Sequence, residues 1–184
     1  MVQRNESRIL ARWREGMTYS FIFKDSFLDL TKTRIRETQT DEEVLLHPKW
    51  SFPIGKYSFF AGKDEYKAIS TKEKVLYNAF VVFRPDGKEI VRITDVSLHK
   101  KKSIFKELQM VCEQNRCHVK TSFALKTITV SNGKEVMLTA TKISSIWQNL
   151  FGIYDYTVEV QQPLNMPFVV WVAIFKGIHL LLRH

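Results

Sequence analysis

Over much of the chain, apolar and polar side chains alternate with a period of two, the pattern of half-buried strands. In "MTYSFIFKDSFLDLTK", Tyr19, Phe21 and Phe23 alternate with Thr18, Ser20, Ile22 and Lys24. A short run, Phe27-Leu28-Asp29-Leu30, follows "KDS", so the stretch predicts two strands with a tight connection. The next segment, "TKTRIRETQTDEEVLLHPKW", is charged and lacks a steady period. It predicts a long loop with a short element at Val44–Leu46.

From Trp50 onward, strand signals recur at short spacing: "KYSFFAG", "YKAIS", "NAFVVF", "EIVRITDVSL", "HVKTSFALKTITV", "EVMLTATKI" and "YDYTVEV". Each is rich in aromatic and β-branched residues, which fit pleated, half-buried surfaces. Between them, Asp86-Gly87 and Asn132-Gly133 separate apolar runs, and both dipeptides tolerate the positive φ that tight hairpins need. Each is followed by Lys-Glu, a weak strand–turn–strand repeat whose two copies are too few for a solenoid. One segment breaks the period. In "SIFKELQMVCEQN", Ile104, Phe105, Leu108, Val111 and Cys112 fall at helical spacing with Ser103 placed to cap, which predicts a helix over residues 104–112.

The chain closes with "QQPLNMPFVVWVAIFKGIHLLLRH", where every side chain from Phe168 to Phe175 is aliphatic or aromatic. A helix apolar on all sides is either in lipid or enclosed by protein. Met166 to Leu182 would reach roughly 26 Å at about 1.5 Å per residue, short of the ~30 Å hydrocarbon layer. Lys176 falls in its second half, where a charge near the bilayer centre costs on the order of 2.5–3.5 kcal/mol. Lys176, His179 and Arg183 form one polar stripe, which suits a helix whose end leaves a core and meets water on one side. Length and charge favour a buried helix over a tail anchor. The strands provide the enclosure if they close into an antiparallel barrel, which also removes exposed edges.

Composition agrees. The chain has 184 residues with 45% apolar residues, enough for one core; Phe numbers 13 against 7 Gly and 5 Pro. Residues 1–16 form a basic arm in which Arg4, Arg8, Arg12 and Arg14 interleave with Ile9, Leu10 and Trp13, and residues 17–184 form a single domain. The formal net charge of +9 favours anionic partners, namely nucleic acid, acidic lipid or acidic protein, although such an excess also serves solubility. The N-terminus has no apolar run of a secretory signal, so Cys112 and Cys117 are expected as reduced, partly buried thiols in a cytoplasmic chain. With neither a second cysteine pair nor a suitably spaced histidine, no zinc site is expected.

The last quarter of the sequence carries a resemblance. Lys142, Ile143 and Trp147 match a lysine- and tryptophan-containing strand end. "YDYTVEV" matches a Tyr/Phe-Asp strand, Pro163-Leu164-Asn165 a Pro-Leu-acid step, and "KGIHLLL" a Gly–aliphatic–x–Leu helix end. Together these resemble the C-terminal signature of the tubby C-terminal-like superfamily, in its phospholipid scramblase and LURP-one-related branches, over about 40 residues. The resemblance implies a mainly β fold: a closed antiparallel β-barrel of about a dozen strands around a buried hydrophobic C-terminal α-helix, the helix spanning about 164–182. In scramblases, clustered acids around this strand and helix are proposed to hold calcium. Here Asp155 and Glu159 remain and Asn165 stands where an acid is usual, so no calcium site is expected. The Pro-rich extension and cysteine cluster of scramblases have no counterpart.

Catalytic motifs are lacking. The sequence has no Gly-rich phosphate loop, G-x-S-x-G, H-E-x-x-H or H-x-E…C-x-x-C. Cys117 and His118 are adjacent, and adjacent strand residues point to opposite faces, so a thiol–imidazole pair is not expected. Basic clusters remain. Lys32, Arg34 and Arg36 alternate, which puts them on one face of an extended chain, and Lys100, Lys101 and Lys102 sit beside a strand end. Such ladders suit phosphate, and tubby-like domains are similar in using basic barrel-surface residues for phosphoinositide headgroups. The competing reading is a solvated loop balanced by Glu37, Asp41, Glu42 and Glu43.

The expectation is therefore a non-enzymatic domain without cofactor or transmembrane span, bound peripherally to acidic phospholipid at the inner membrane surface. The alternatives are a protein-interaction or structural module and a tail-anchored membrane protein. Nucleic acid is not an expected partner, because the basic residues are not interleaved with aromatics in a stacking pattern.

Overall fold

The computed structural model of the protein describes residues 18–26, 32–49, 55–73, 76–97, 107–112, 115–145, 147–148, 152–161, 164 and 166–183. The basic arm, the Phe27–Leu30 run and Lys100 to Lys102 lie outside these residues.

Twelve strands follow in chain order: β1 Tyr19–Ser26, β2 Thr33–Arg36, β3 Glu43–Lys49, β4 Lys56–Ala61, β5 Asp64–Glu73, β6 Leu76–Phe83, β7 Glu89–Asp95, β8 Leu108–Cys112, β9 Asn115–Thr121, β10 Thr127–Asn132, β11 Glu135–Lys142 and β12 Ile153–Val160. A long helix, α1, spans Phe168–Arg183. Each strand from β2 to β12 pairs antiparallel with its sequence neighbour, and β12 pairs with β1. The sheet thus curls through almost a full turn. Irregularities at Thr71/Lys72, Val82/Phe83 and Val130/Ser131 add the local bends that curling requires. At the seam β1 meets the end of β2 through an isolated bridge between Phe21 and Glu37, the residue after β2, so the barrel is nearly closed.

The alternation read from the sequence places the core. Phe21 and Phe23 of β1, Ile93 of β7, Met110 and Cys112 of β8, Ile128 and Val130 of β10, and Tyr156 and Val158 of β12 all point inward and are buried. Cys117 is buried while His118 is exposed, as alternation requires, and burial pushes the Cys117 thiol above its ordinary pKa. The two glycine turns form as hairpins, with Gly87 and Gly133 at φ +85° and +62°. In the second, Asn132 pairs with Glu135, so the turn itself is Gly133-Lys134.

The helix runs inside the barrel. Phe168 packs on Tyr19 and Phe21, Phe175 on Phe23 and Tyr156, and further contacts reach β3 to β7. At Gly177 the helix lies close against the wall, since a Cβ there would lie 2.3 Å from Cδ1 of Phe80. No helix among the described residues is long and apolar enough to cross a membrane.

Four expectations need correction. The segment between Lys32 and Trp50 holds strands β2 and β3, because Ile35, Val44 and Leu46 fill inward positions while charged residues face out. Leu108–Cys112 is strand β8, not helix: Leu108, Met110 and Cys112 are buried and alternate with Gln109 and Val111. The helix begins at Phe168 rather than near residue 164. Leu164 is at φ +46°, and Pro167 disfavours helical geometry in Met166. The polar stripe does not meet water along its length, because Lys176 and His179 are fully buried. Aromatic rings accommodate them. Lys176 Nζ sits 5.3 Å from the centre of the Tyr57 ring, and His179 is within 5.4 Å of both Tyr154 and Tyr156.

Candidate functional site

Strand β2 presents Arg34 and Arg36 outward around the buried Ile35, as the alternating pattern predicts, and Lys32 just before it is exposed. Both guanidinium groups reach one carboxylate, Glu43 of β3, at 3.5 and 3.2 Å. Across the seam, β1 contributes Ile22 and Lys24, both exposed. The resulting groove of about 420 Å³ is lined by Ile22, Lys24, Thr33, Arg34, Arg36, Glu37, Thr38 and Asp41. Lys24 is the cation that sequence reading missed. Its signal was its place in the β1 alternation, but only the pairing of β1 beside β2 brings it to Arg34.

Glu37 organises this seam and was also missed as an individual residue. Its carboxylate accepts hydrogen bonds from the N–H groups of Ser20 at 3.2 Å, Gln39 at 2.8 Å and Thr40. Thr38 completes the latch, donating from N–H and hydroxyl to the Ser20 carbonyl at 2.8 and 2.7 Å. Burial pushes the Glu37 pKa up, but the hydrogen bonds from Thr40, Ser20 and Gln39 outweigh it and hold the group below its ordinary value. Of the three carboxylates at the groove, Glu37 is thus committed to backbone, Glu43 to two arginines, and Asp41 is exposed.

The end of the barrel where β9 and β11 finish and β10 and β12 start is built differently. Lys142 donates from Nζ to the Ala124 carbonyl at 3.0 Å, and its N–H bonds the Lys126 carbonyl at 2.9 Å. Tyr156 donates its hydroxyl hydrogen to the Leu125 carbonyl at 3.2 Å. Burial pushes the Lys142 ammonium below the usual lysine range. Arg183, at the end of α1, and Lys142 both approach the Tyr154 ring, at 4.9 and 5.1 Å from its centre. Large apolar side chains point outward here: Phe123, Ile143, Trp147 and Ile153 are exposed. Among the described residues, no group of three His, Cys, Asp or Glu side chains is placed to share a metal ion.

Of the six basic residues singled out from the sequence, the structure joins Arg34 and Arg36 at one groove and leaves Lys32 exposed at its strand's start. Lys100, Lys101 and Lys102 belong to the connection between β7 and β8, outside the described residues. These features define a nearly closed antiparallel barrel with an internal helix and, at its seam, a groove lined by Lys24, Arg34 and Arg36 together with Glu37 and Asp41. Comparison of the chain with protein-family models, curated proteins and solved structures finds no match.

Proposed function

We propose that this chain is a non-enzymatic, tubby-like barrel that associates peripherally with acidic phospholipid, phosphoinositide headgroups included. The observation that carries the reading is the seam groove, where Lys24, Arg34 and Arg36 converge on a solvent-open surface. Arginine forks fit phosphate oxygens, and a lysine beside them adds a point charge. A headgroup entering the groove competes with Glu43 for both guanidinium groups, so doubly charged phosphates are favoured over singly charged ones. The resemblance of the last quarter of the chain to the tubby C-terminal-like superfamily supports the same class of ligand.

Co-sedimentation with vesicles tests it. The protein is expected to pellet with vesicles containing phosphatidylserine or a phosphoinositide at low salt and to remain in the supernatant with phosphatidylcholine alone. Each cation near an acidic surface contributes about 1 kcal/mol, so Arg34→Gln with Arg36→Gln should weaken binding by about 2 kcal/mol, roughly thirtyfold. Equal recovery with neutral and acidic vesicles at low salt overturns the proposal.

A further inference from the structure

The seam groove carries both signs of charge, and the signs are sorted along it. Lys24, Arg34 and Arg36 line it together with Glu37 and Asp41, and Glu43 stands beside the two arginines. Phe21 lies antiparallel opposite Glu37, a register that sets Lys24 level with Arg34 at one end of the groove. At the other end Thr38 bonds Ser20, and Asp41 belongs to the connection that follows Thr38. Arg36 stands between the two ends. Two residues of extended chain separate Arg36 from Thr38, a step of about 6–7 Å.

The three carboxylates are not equivalent. Glu37 is buried and spends its oxygens on the N–H groups of Ser20, Gln39 and Thr40. Glu43 is held by Arg34 and Arg36. Asp41 is exposed and makes no ion pair or side-chain hydrogen bond among the described residues. An uncommitted carboxylate at one end of a phosphate-binding groove repels a ligand that is anionic throughout. It suits a ligand with a cationic donor a short link away from its phosphate. Inositol and glycerol headgroups offer Asp41 hydroxyls, whereas a primary ammonium offers N–H donors with a full charge, and hydrogen bonds between ionised groups are the stronger kind.

We infer that the groove selects an aminophospholipid: its phosphate lies among Lys24, Arg34 and Arg36, and its primary ammonium is held by Asp41. The inference rests on the lipid reading above and narrows its ligand. Among acidic lipids it singles out phosphatidylserine, whose phosphate and carboxylate together draw the guanidinium groups from Glu43 while its ammonium meets Asp41. The same headgroup chemistry exists in soluble form as glycerophosphoserine, so the two sources are tested side by side.

The test uses the full chain at low salt with vesicles of phosphatidylcholine containing an equal share of phosphatidylserine or of phosphatidylglycerol, which carry the same net charge. Binding should be about threefold tighter with phosphatidylserine, as an exposed ion pair provides. Asp41→Asn should weaken binding to phosphatidylserine vesicles and strengthen binding to phosphatidylglycerol vesicles, because it removes both the ammonium partner and a negative charge facing the acidic surface. Asparagine tolerates the left-handed backbone at this position, φ +56°, so the melting temperature should not change. Glycerophosphoserine should displace the protein from vesicles only in large excess over the lipid. Displacement at concentrations matching the lipid overturns the membrane source and assigns the groove to a soluble ligand. If the parent binds the two acidic vesicles equally, or if Asp41→Asn keeps the preference, the ammonium assignment is overturned and the lipid reading stands. If the parent binds neither, the lipid reading falls and takes this inference with it.

Discussion

Two turns at opposite ends of the barrel solve the same problem with opposite chemistry. Between β2 and β3, a carboxylate collects backbone N–H groups: Glu37 accepts from Ser20, Gln39 and Thr40. Between β9 and β10, donors collect backbone carbonyls: Lys142 and Tyr156 reach Ala124 and Leu125. Each turn contains non-glycine residues at positive φ, Asp41 in the first and Ala124 and Leu125 in the second. The difference lies in what is displayed. The first turn locks two strands across the seam and shows carboxylates to solvent, whereas the second joins neighbours already paired with adjacent strands and shows a phenylalanine. A polar anchor under a turn therefore does not reveal the turn's role; the exposed side chain does.

The most severe perturbation removes the frame on which both turns hang. Truncation after Gln161 deletes α1, whose buried Val, Ile, Leu and Phe side chains each contribute about 1.5–3 kcal/mol. Their sum exceeds the ~5–15 kcal/mol net stability of an ordinary domain. Loss of near-ultraviolet circular dichroism and of a cooperative melt is expected; a truncated chain that melts cooperatively would show the helix to be dispensable.

Next in size is the seam. Glu37→Gln replaces an acceptor with an amide whose NH₂ faces donors, and should cost about 1–3 kcal/mol in urea unfolding. Because the folded-state pKa of Glu37 is depressed, its stabilisation is present above the unfolded glutamate value and is lost as pH falls through the folded one. Stability of the parent should therefore decline below about pH 4.5, the unperturbed value, more steeply than that of the Gln variant. The opposite turn should yield less: Lys142→Met removes one bond to a carbonyl that stays near water, for about 0.5–1.5 kcal/mol. Faster amide exchange should be confined to residues 123–127.

The smallest effect on stability separates structure from binding. Glu43→Gln breaks two exposed ion pairs and should change unfolding by under about 1 kcal/mol. By releasing Arg34 and Arg36 it should nonetheless raise affinity for acidic vesicles, which sedimentation at low salt can measure.

Much of this architecture was legible in the sequence because burial follows a period. The runs around Phe21, Ile128 and Tyr156 alternate, and the helix from Phe168 to Phe175 is apolar all round. Strands β2 and β3 were hidden because only Ile35, Val44 and Leu46 are buried, between outer positions that mix Arg34, Arg36 and Glu43 with the apolar Leu45. In β8, Leu108 and Cys112 are buried at an i,i+4 spacing that strands and helices share, so the period alone could not decide. Lys176 and His179 were misplaced for another reason. Sequence shows that they share a helix face, but not that Tyr57, Tyr154 and Tyr156 from distant strands meet that face. Of the site, Arg34 and Arg36 were readable along one strand, whereas Lys24 and the Glu37 latch depend on the seam.

The order of elements along the chain has a consequence for biosynthesis. All twelve strands precede the helix that fills their interior, so a ribosome delivers the wall before the stuffing. Until Phe168–Arg183 has been translated, the inward rings of Phe21, Phe23, Phe80 and Tyr156 have no helix to pack against. The wall cannot close on a finished core before that segment has left the ribosome.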